Sequence, residues 1–230
     1  MEVKTISVGP ITNFYAVEEN GKTMLIDTGC YLNLPGWTLK TAMSGVDLST
    51  VSLIVLTHGH MDHAGGIHHA KALTNAPVMA HPDCDTFLKT GKFTWYVPRN
   101  ELGQAFYDNI AAPAPVDVPE AVDIDIPVTG ETDLHPYGFS ARVIPTPGHT
   151  LDAISVVFDS GEAFVGDTVL DPFGQGICTF AVLSLDNEAL KESGKRLLDA
   201  GLQKAYSGHG GPFDRKQVEE AYANLLDHNG

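Results

Sequence analysis

Hydrophobic and polar positions alternate with a period of two in the first thirty residues, the pattern of strands with one buried face. "KTISV" and "FYAVEE" read as short strands separated by Gly9-Pro10, and "KTMLIDTG" as a third after the turn signal Glu19-Asn20-Gly21. "TLKTAMSG" predicts a short helix ended by Gly45. "VSLIVLT" is an unbroken apolar run of strand length, as expected of a strand covered on both faces. A helix from Gly65 to Leu73 and a strand at "APVMAH" follow, then an irregular stretch from Pro82 to Pro127. Within it Leu102, Ala105, Phe106, Asn109 and Ile110 keep a helical period. "FSARVIPT", "AISVVFDSGEAFVGD" and "KAYSGHG" restore the strand pattern, the middle one a hairpin turned at Asp159-Ser160-Gly161. Two helices close the chain. One runs from about Asp186 to Ala200 with Gly201 as its stop. The other begins near Asp214, with Gln217 completing a capping box, and buries Val218, Ala221, Tyr222 and Leu225. No linker interrupts this order, which predicts one domain over residues 1–230: two β-sheets packed together with helices outside.

Composition narrows the function. The chain has 230 residues, 43% apolar and 19% charged, and a formal net charge of −15, so a sizeable core is affordable. Only 14 residues are Lys or Arg, and they form no basic stripe of the kind that phosphate backbones require. Nucleic acid is therefore not the expected partner; a small molecule is. No run of eighteen apolar residues predicts a membrane span, and the first residues lack a signal-peptide pattern. Three cysteines at unrelated spacings, Cys30, Cys84 and Cys178, suggest no disulfide framework and point to a reducing cytoplasm. The oligomeric state stays open, a homodimer included.

The densest chemistry lies in "LTHGHMDHAGG". His58, His60, Asp62 and His63 fall within six positions where the buried strand ends. Imidazole and carboxylate are metal donors. Residues two apart on an extended loop point the same way, while Asp62 and His63 follow where the chain turns toward a helix, a geometry suited to two neighbouring metals. Gly65 and Gly66 leave room for close backbone approach. Three further donors sit at strand ends: His149 in "TPGHT", Asp167 in "FVGDT" and His209 in "YSGHGG".

Taken in order, "LIDTG", "THGHMDHAGG", "TPGHT", "VGDT" and "GHGG" resemble the five motifs of the metallo-β-lactamase fold superfamily of hydrolases, over residues 27 to 211. The resemblance implies an α/β (α+β) fold, a four-layer αβ/βα sandwich with two mixed β-sheets flanked by helices. It implies that His58, His60 and His149 hold one metal, that Asp62, His63 and His209 hold a second, and that Asp167 bridges both. Asp62 and Asp167 then serve as the catalytic carboxylates. Asp27 is similar to the family's supporting aspartate, which orients the ligand loop. The implied cofactor is a pair of Zn2+ ions, with Fe or Mn open because no thiolate selects among them. The implied reaction is attack of a metal-bridging hydroxide on an ester-like carbonyl.

Among substrates the glyoxalase II and lactonase branches are most similar. The alternatives are β-lactam hydrolysis and iron redox chemistry on the same fold. "GDTVLDPFGQGICTF" departs from glyoxalase II in lacking its glycine-cysteine-glycine-arginine segment, and Leu170 stands where acyl-homoserine lactonases carry Tyr. Phe93, Trp95, Tyr96, Phe106 and Tyr107 are candidates for an apolar wall over the metals. His68 and His69 are expected to leave one or both rings solvated, His81 to end a strand near the site, His135 and His228 to lie on the surface, and the cysteines to be small buried fillers.

Overall fold

A computed structural model describes residues 1–9, 12–30, 34–92, 97–111 and 120–227. The first sheet contains β1 (Glu2–Val8), β2 (Thr12–Glu19), β3 (Lys22–Ile26), β4 (Val51–Val55), β5 (Val78–Ala80) and β6 (Ile126–Pro127), adjacent in that order. Its first three strands are antiparallel and the rest parallel. The parallel half needs crossovers, which are supplied by α1 (Leu34–Met43) and by the helical segment α2 (Met61–Ala64) and α3 (Ile67–Thr74). The second sheet is formed by β7 (Thr132–Asp133), β8 (Ala141–Pro145), β9 (Ile154–Phe158), β10 (Glu162–Gly166), β13 (Lys204–Ser207) and β14 (Phe213–Asp214), in the order β14-β13-β10-β9-β8-β7. A small ribbon, β11 (Val169–Leu170) with β12 (Thr179–Phe180), follows β10.

The period-two pattern decides the layering. In β2, Phe14 and Ala16 face α1 and α3, while Tyr15 and Val17 face the other sheet. In β9, Ile154, Val156 and Phe158 point inward to that central layer, and Val157 points out toward α6 (Asn187–Asp199) and α7 (Arg215–Asp227). Helix, sheet, sheet, helix is the predicted four-layer sandwich. Phe164 is its central aromatic residue, with ring centroids 5.1 Å from Tyr15, 5.9 Å from Phe158 and 4.8 Å from Tyr206.

Helix ends follow local chemistry. The Asp214–Gln217 capping box is reciprocal, each side chain accepting from the other residue's backbone N–H at 2.9 and 3.0 Å. Asn20 and Gly21 both adopt positive φ, the twist a two-residue hairpin needs between β2 and β3. Two boundaries differ from expectation. α1 begins at Leu34, four residues before "TLKTAMSG": Pro35 falls in its first turn, where the missing N–H costs nothing. The helix after the motif is broken at Gly65-Gly66 and already contains Asp62 and His63, so the histidine-rich motif itself starts the helical turn. Tyr222 is only half-buried. Between α4 (Asp85–Thr90) and β6 the described chain contains α5 (Glu101–Phe106) and a π-type turn over Tyr107–Ala111, matching the one helix predicted there. Among the described residues no helix is long and apolar enough to cross a membrane.

The central layer sets the distance between the two sheets. Truncating Phe164 to Ala should therefore destabilise the fold by about 3–5 kcal/mol, read as a lowered midpoint in guanidinium unfolding at unchanged slope.

Candidate metal centre

The donors come from four strand ends. β4 runs out at Val55 into His58 and His60, and α2 carries Asp62 and His63. The turn after β8 brings His149, the end of β10 brings Asp167, and the end of β13 brings His209. The loops are stitched across both sheets: Thr28 N donates to the His63 carbonyl at 2.7 Å, Ile154 N to that of Thr57 at 2.8 Å, and Asn13 N to that of Gly208 at 2.7 Å. Gly208 is required here, because a Cβ at this position would stand 2.2 Å from the His63 ring.

All seven predicted donors converge, in two groups. His58, His60 and His149 form one; Asp62, His63, Asp167 and His209 form the other, and in each the donor atoms lie within 4.8 Å of one another. Every member except the half-buried Asp62 is buried.

In the first group the imidazole tautomers can be read from their outer contacts. Thr57 Oγ1 donates to Asp27, so it accepts from His58 Nδ1–H at 3.1 Å, and His58 Nε2 is left buried with no hydrogen bond. His149 Nδ1–H donates to the Leu183 carbonyl at 2.7 Å, turning Nε2 inward. That Nε2 stands 3.2 Å from His60 Nδ1. Two nitrogens bound tetrahedrally to zinc at about 2.0–2.1 Å lie about 3.3 Å apart, so the spacing fits a shared cation. Burial, with neighbouring histidines adding to it, holds His58 well below the usual imidazole range and His60 at about 3; burial also lowers His149. The neutral His58 and His149 rings are thus left with Nε2 lone pairs, beside a neutral His60.

The second group is organised by charge. Asp167 Oδ1 lies 3.1 Å from His63 Nε2, and its Oδ2 lies 3.2 Å from His209 Nε2 and 3.6 Å from His149 Nε2, so this one carboxylate faces both groups. Asp62 Oδ2 lies 3.0 Å from His209 Nε2. Burial alone would raise both carboxyls, but His209 and His63 beside Asp167, and the same two histidines beside Asp62, outweigh it and hold each below the usual carboxylate range. Burial likewise works to lower His63 and His209, yet the surrounding carboxylates raise His63 well above its ordinary value and His209 to about 10. The pocket calls for positive charge, which a divalent cation supplies.

Behind both groups stands Asp27. Its backbone is left-handed, φ 62°, an unfavourable conformation for a residue with a side chain. Its Oδ1 accepts from Thr57 N at 2.7 Å, its Oδ2 from Thr57 Oγ1 at 2.8 Å, and Oδ2 lies 2.8 Å from His63 Nδ1.

Two further residues join the site without any motif to mark them, Asp152 and Cys84. Asp152 Oδ2 accepts from Gly59 N at 2.8 Å and from the Cys84 thiol at 3.0 Å, so Cys84 is a hydrogen-bond donor beside the ligand loop and more than filler. The available signal was an acid three residues after His149. His81 caps the turn after β5 through Asp83 N and joins neither donor group. His69 is buried and His68 half-buried, since α3 packs its first turn against the sheet; His135 is exposed beside Asp133 and Asp159, as expected. The expected aromatic wall falls largely outside the described residues (Phe93, Trp95, Tyr96 and the Phe106 side chain), and His228 does too. Tyr107 is half-buried.

A four-layer sandwich with this donor cup at one edge of its two sheets places the chain among the metallo-hydrolases. The profile of the metallo-beta-lactamase superfamily matches residues 8–209, and the chain belongs to that superfamily. It is 28% identical over 204 residues to the beta-lactamase-like protein 2 homolog of Drosophila melanogaster, covering 86% of this chain and 58% of that protein. It is 24% identical over 214 residues to the atrochrysone carboxyl ACP thioesterase of Aspergillus fumigatus, covering 90% and 53%. The chain thus spans little more than half the length of these curated relatives. Its fold matches the crystal structure of an archaeal superfamily protein from Sulfolobus tokodaii with a TM-score of 0.71 and 24% identity, over 99% of this chain and 87% of that one.

Because Asp27 orients donors in both groups, Asp27→Asn should weaken metal affinity about 10–100-fold, the usual effect of removing such a supporting group. Competition with a chromogenic chelator measures this. Asp123→Asn, on the exposed surface, is the control and should leave the affinity unchanged.

Proposed function

We propose that the chain hydrolyses small ester-like substrates, thioesters foremost, with two zinc ions. His58, His60 and His149 hold one; Asp62, His63 and His209 hold the other; Asp167 stands between. The observation that carries this reading is the placement of Asp167, whose two oxygens face His63 on one side and His209 and His149 on the other. The thioesterase relative supports the choice of a thioester. When bound, the metals polarise the scissile carbonyl and acidify water toward neutrality.

The protein's own groups do the positioning. Asp167 fixes the spacing of the two donor groups. Asp62, half-buried and held ionised, is a weak base near neutral pH and is better suited to orienting the attacking water by hydrogen bond than to storing its proton. A thiolate leaving group needs little protonation, which matches a site whose carboxylates stay charged. The neutral imidazoles add no charge of their own, so the two carboxylates balance part of the metal charge and leave the centre electrophilic. Three cysteines without a disulfide agree with a reducing, cytoplasmic setting.

The test is metal content per chain together with a screen of a thioester, a lactone, a β-lactam and a phosphodiester. Two zincs and thioester turnover are expected; bound iron with a visible absorption band, or a thioester left intact, overturns the reading. Asp167→Ala should lose at least one metal equivalent and lower kcat by more than about a hundredfold, the scale of removing one preorganised electrostatic element.

A further inference from the structure

A cavity of about 250 Å3 opens beside His60. Because His60 forms part of its wall, whatever fills it lies against the first donor group. The cavity is smaller than the ~300–1,000 Å3 of pockets for drug-sized ligands, so it suits a short acyl group and excludes a long chain.

Its walls are of two kinds. Phe87, Leu151 and Leu185 make one side apolar. Leu151 is 60% exposed although it sits between the buried His149-Thr150 pair and the buried Asp152. A leucine that contributes so little to the core is free to cover a ligand. The rim carries one cation, Lys92. Its backbone N–H donates to Thr90 Oγ1, and among the described residues its ammonium enters no ion pair. The contrast with Lys89, three residues earlier, is direct: Lys89 Nζ lies 2.7 Å from Asp85 and 3.6 Å from Asp123. In a chain with 29 acidic and 14 basic residues, a lysine left unpaired at the mouth of a cavity is available to an incoming anion. Two carboxylates also line the cavity: Asp83, 3.6 Å from His81 Nδ1, and the buried Asp152, whose Oδ2 already accepts from Gly59 N and the Cys84 thiol.

We infer that this cavity receives the acyl part of the substrate and that Lys92 binds a carboxylate on it, which makes the substrate the half-thioester of a short dicarboxylic acid. This rests on the thioester reading above and names its substrate class. In the reaction, water oxygen bonds to the thioester carbonyl carbon and the C–S bond breaks. The sulfur leaves with the electron pair and takes up a proton from the water, giving a dicarboxylic acid and a thiol. The apolar wall holds the methylene chain, and Lys92 fixes the end that does not react.

The experiment compares two isosteric thioesters of one thiol, succinyl and 4-methylpentanoyl, on zinc-loaded protein. The wild type should favour the succinyl substrate in kcat/KM by about tenfold, the scale of one charge-assisted hydrogen bond. Lys92→Met should erase that preference through KM, and Lys92→Arg should retain it. Equal kcat/KM for the two thioesters in the wild type, or a preference that survives in Lys92→Met, overturns the assignment. Calorimetry with succinate and 4-methylpentanoate separates this claim from the hydrolase reading. If neither thioester is turned over, the hydrolase reading fails, while tighter binding of succinate that is lost in Lys92→Met still supports the Lys92 site. Equal binding of the two acids to the wild type overturns it.

Discussion

One carboxylate underlies the arrangement of the donor cup. Asp27 holds the start of the ligand loop through Thr57 N and Oγ1 and holds His63 through Nδ1. Through Thr57 it also fixes the tautomer of His58. A single buried group therefore orients donors on both sides of the site. Hydrogen bonds to a charged acceptor are stronger than neutral ones, and here they offset both the burial of the carboxylate and a left-handed backbone. Strain of this kind persists where surrounding contacts over-determine a conformation, and the contacts at Asp27 come from the strand, the loop and the helix that the site joins.

The site's location follows from the layering. Strands that bury both faces must alternate their side chains between a helix-facing and a sheet-facing layer, as Phe14 and Tyr15 do on β2 and Val157 and Phe158 on β9. Their interior positions are thus committed to packing, and polar donors are tolerated only where the strands run out. Both sheets end at the same edge, where Tyr15 OH donates to the Ser207 carbonyl and Asn13 bonds to the His209 loop through the Gly208 and Gly210 carbonyls. Donors separated by more than 140 residues in sequence meet there because the two sheets are fastened at that edge.

Residues whose role depends on side-chain type and local spacing were legible in the sequence. The seven side chains that converge in two groups, the Asp214–Gln217 box, the turn at Asn20-Gly21 and the hairpin at Asp159-Ser160-Gly161 all declare themselves through chemistry carried within a few residues. Residues whose role depends on a distant partner were not. Asp152 looks like any acid in "HTLDA" until β8 and β9 bring it under Gly59, and Cys84 looks like core until its thiol meets that same carboxylate. Thr57 reads as the end of a strand, and only its contact with Asp27 makes it part of the site. A helix boundary was shifted for a related reason: Asp62 and His63 read as lying where the chain turns toward a helix expected from Gly65, but α2 already starts at Met61, with Thr28 N and Oγ1 both donating to the His63 carbonyl.

The two donor groups are electrostatically unlike, and this follows from what surrounds each. His58, His60 and His149 are crowded by one another in a buried pocket, so each disfavours the charged form of its neighbours. His63 and His209 are instead surrounded by Asp27, Asp62 and Asp167, which favour it. The first group would hold a cation by lone pairs with little help from net charge, the second chiefly by charge. Asp167 lies at the boundary, close enough to serve both, and so moderates the difference. A cation held by the first group would therefore keep more of its charge than one held by the second, and Leu151 and Phe87 line the cavity beside it.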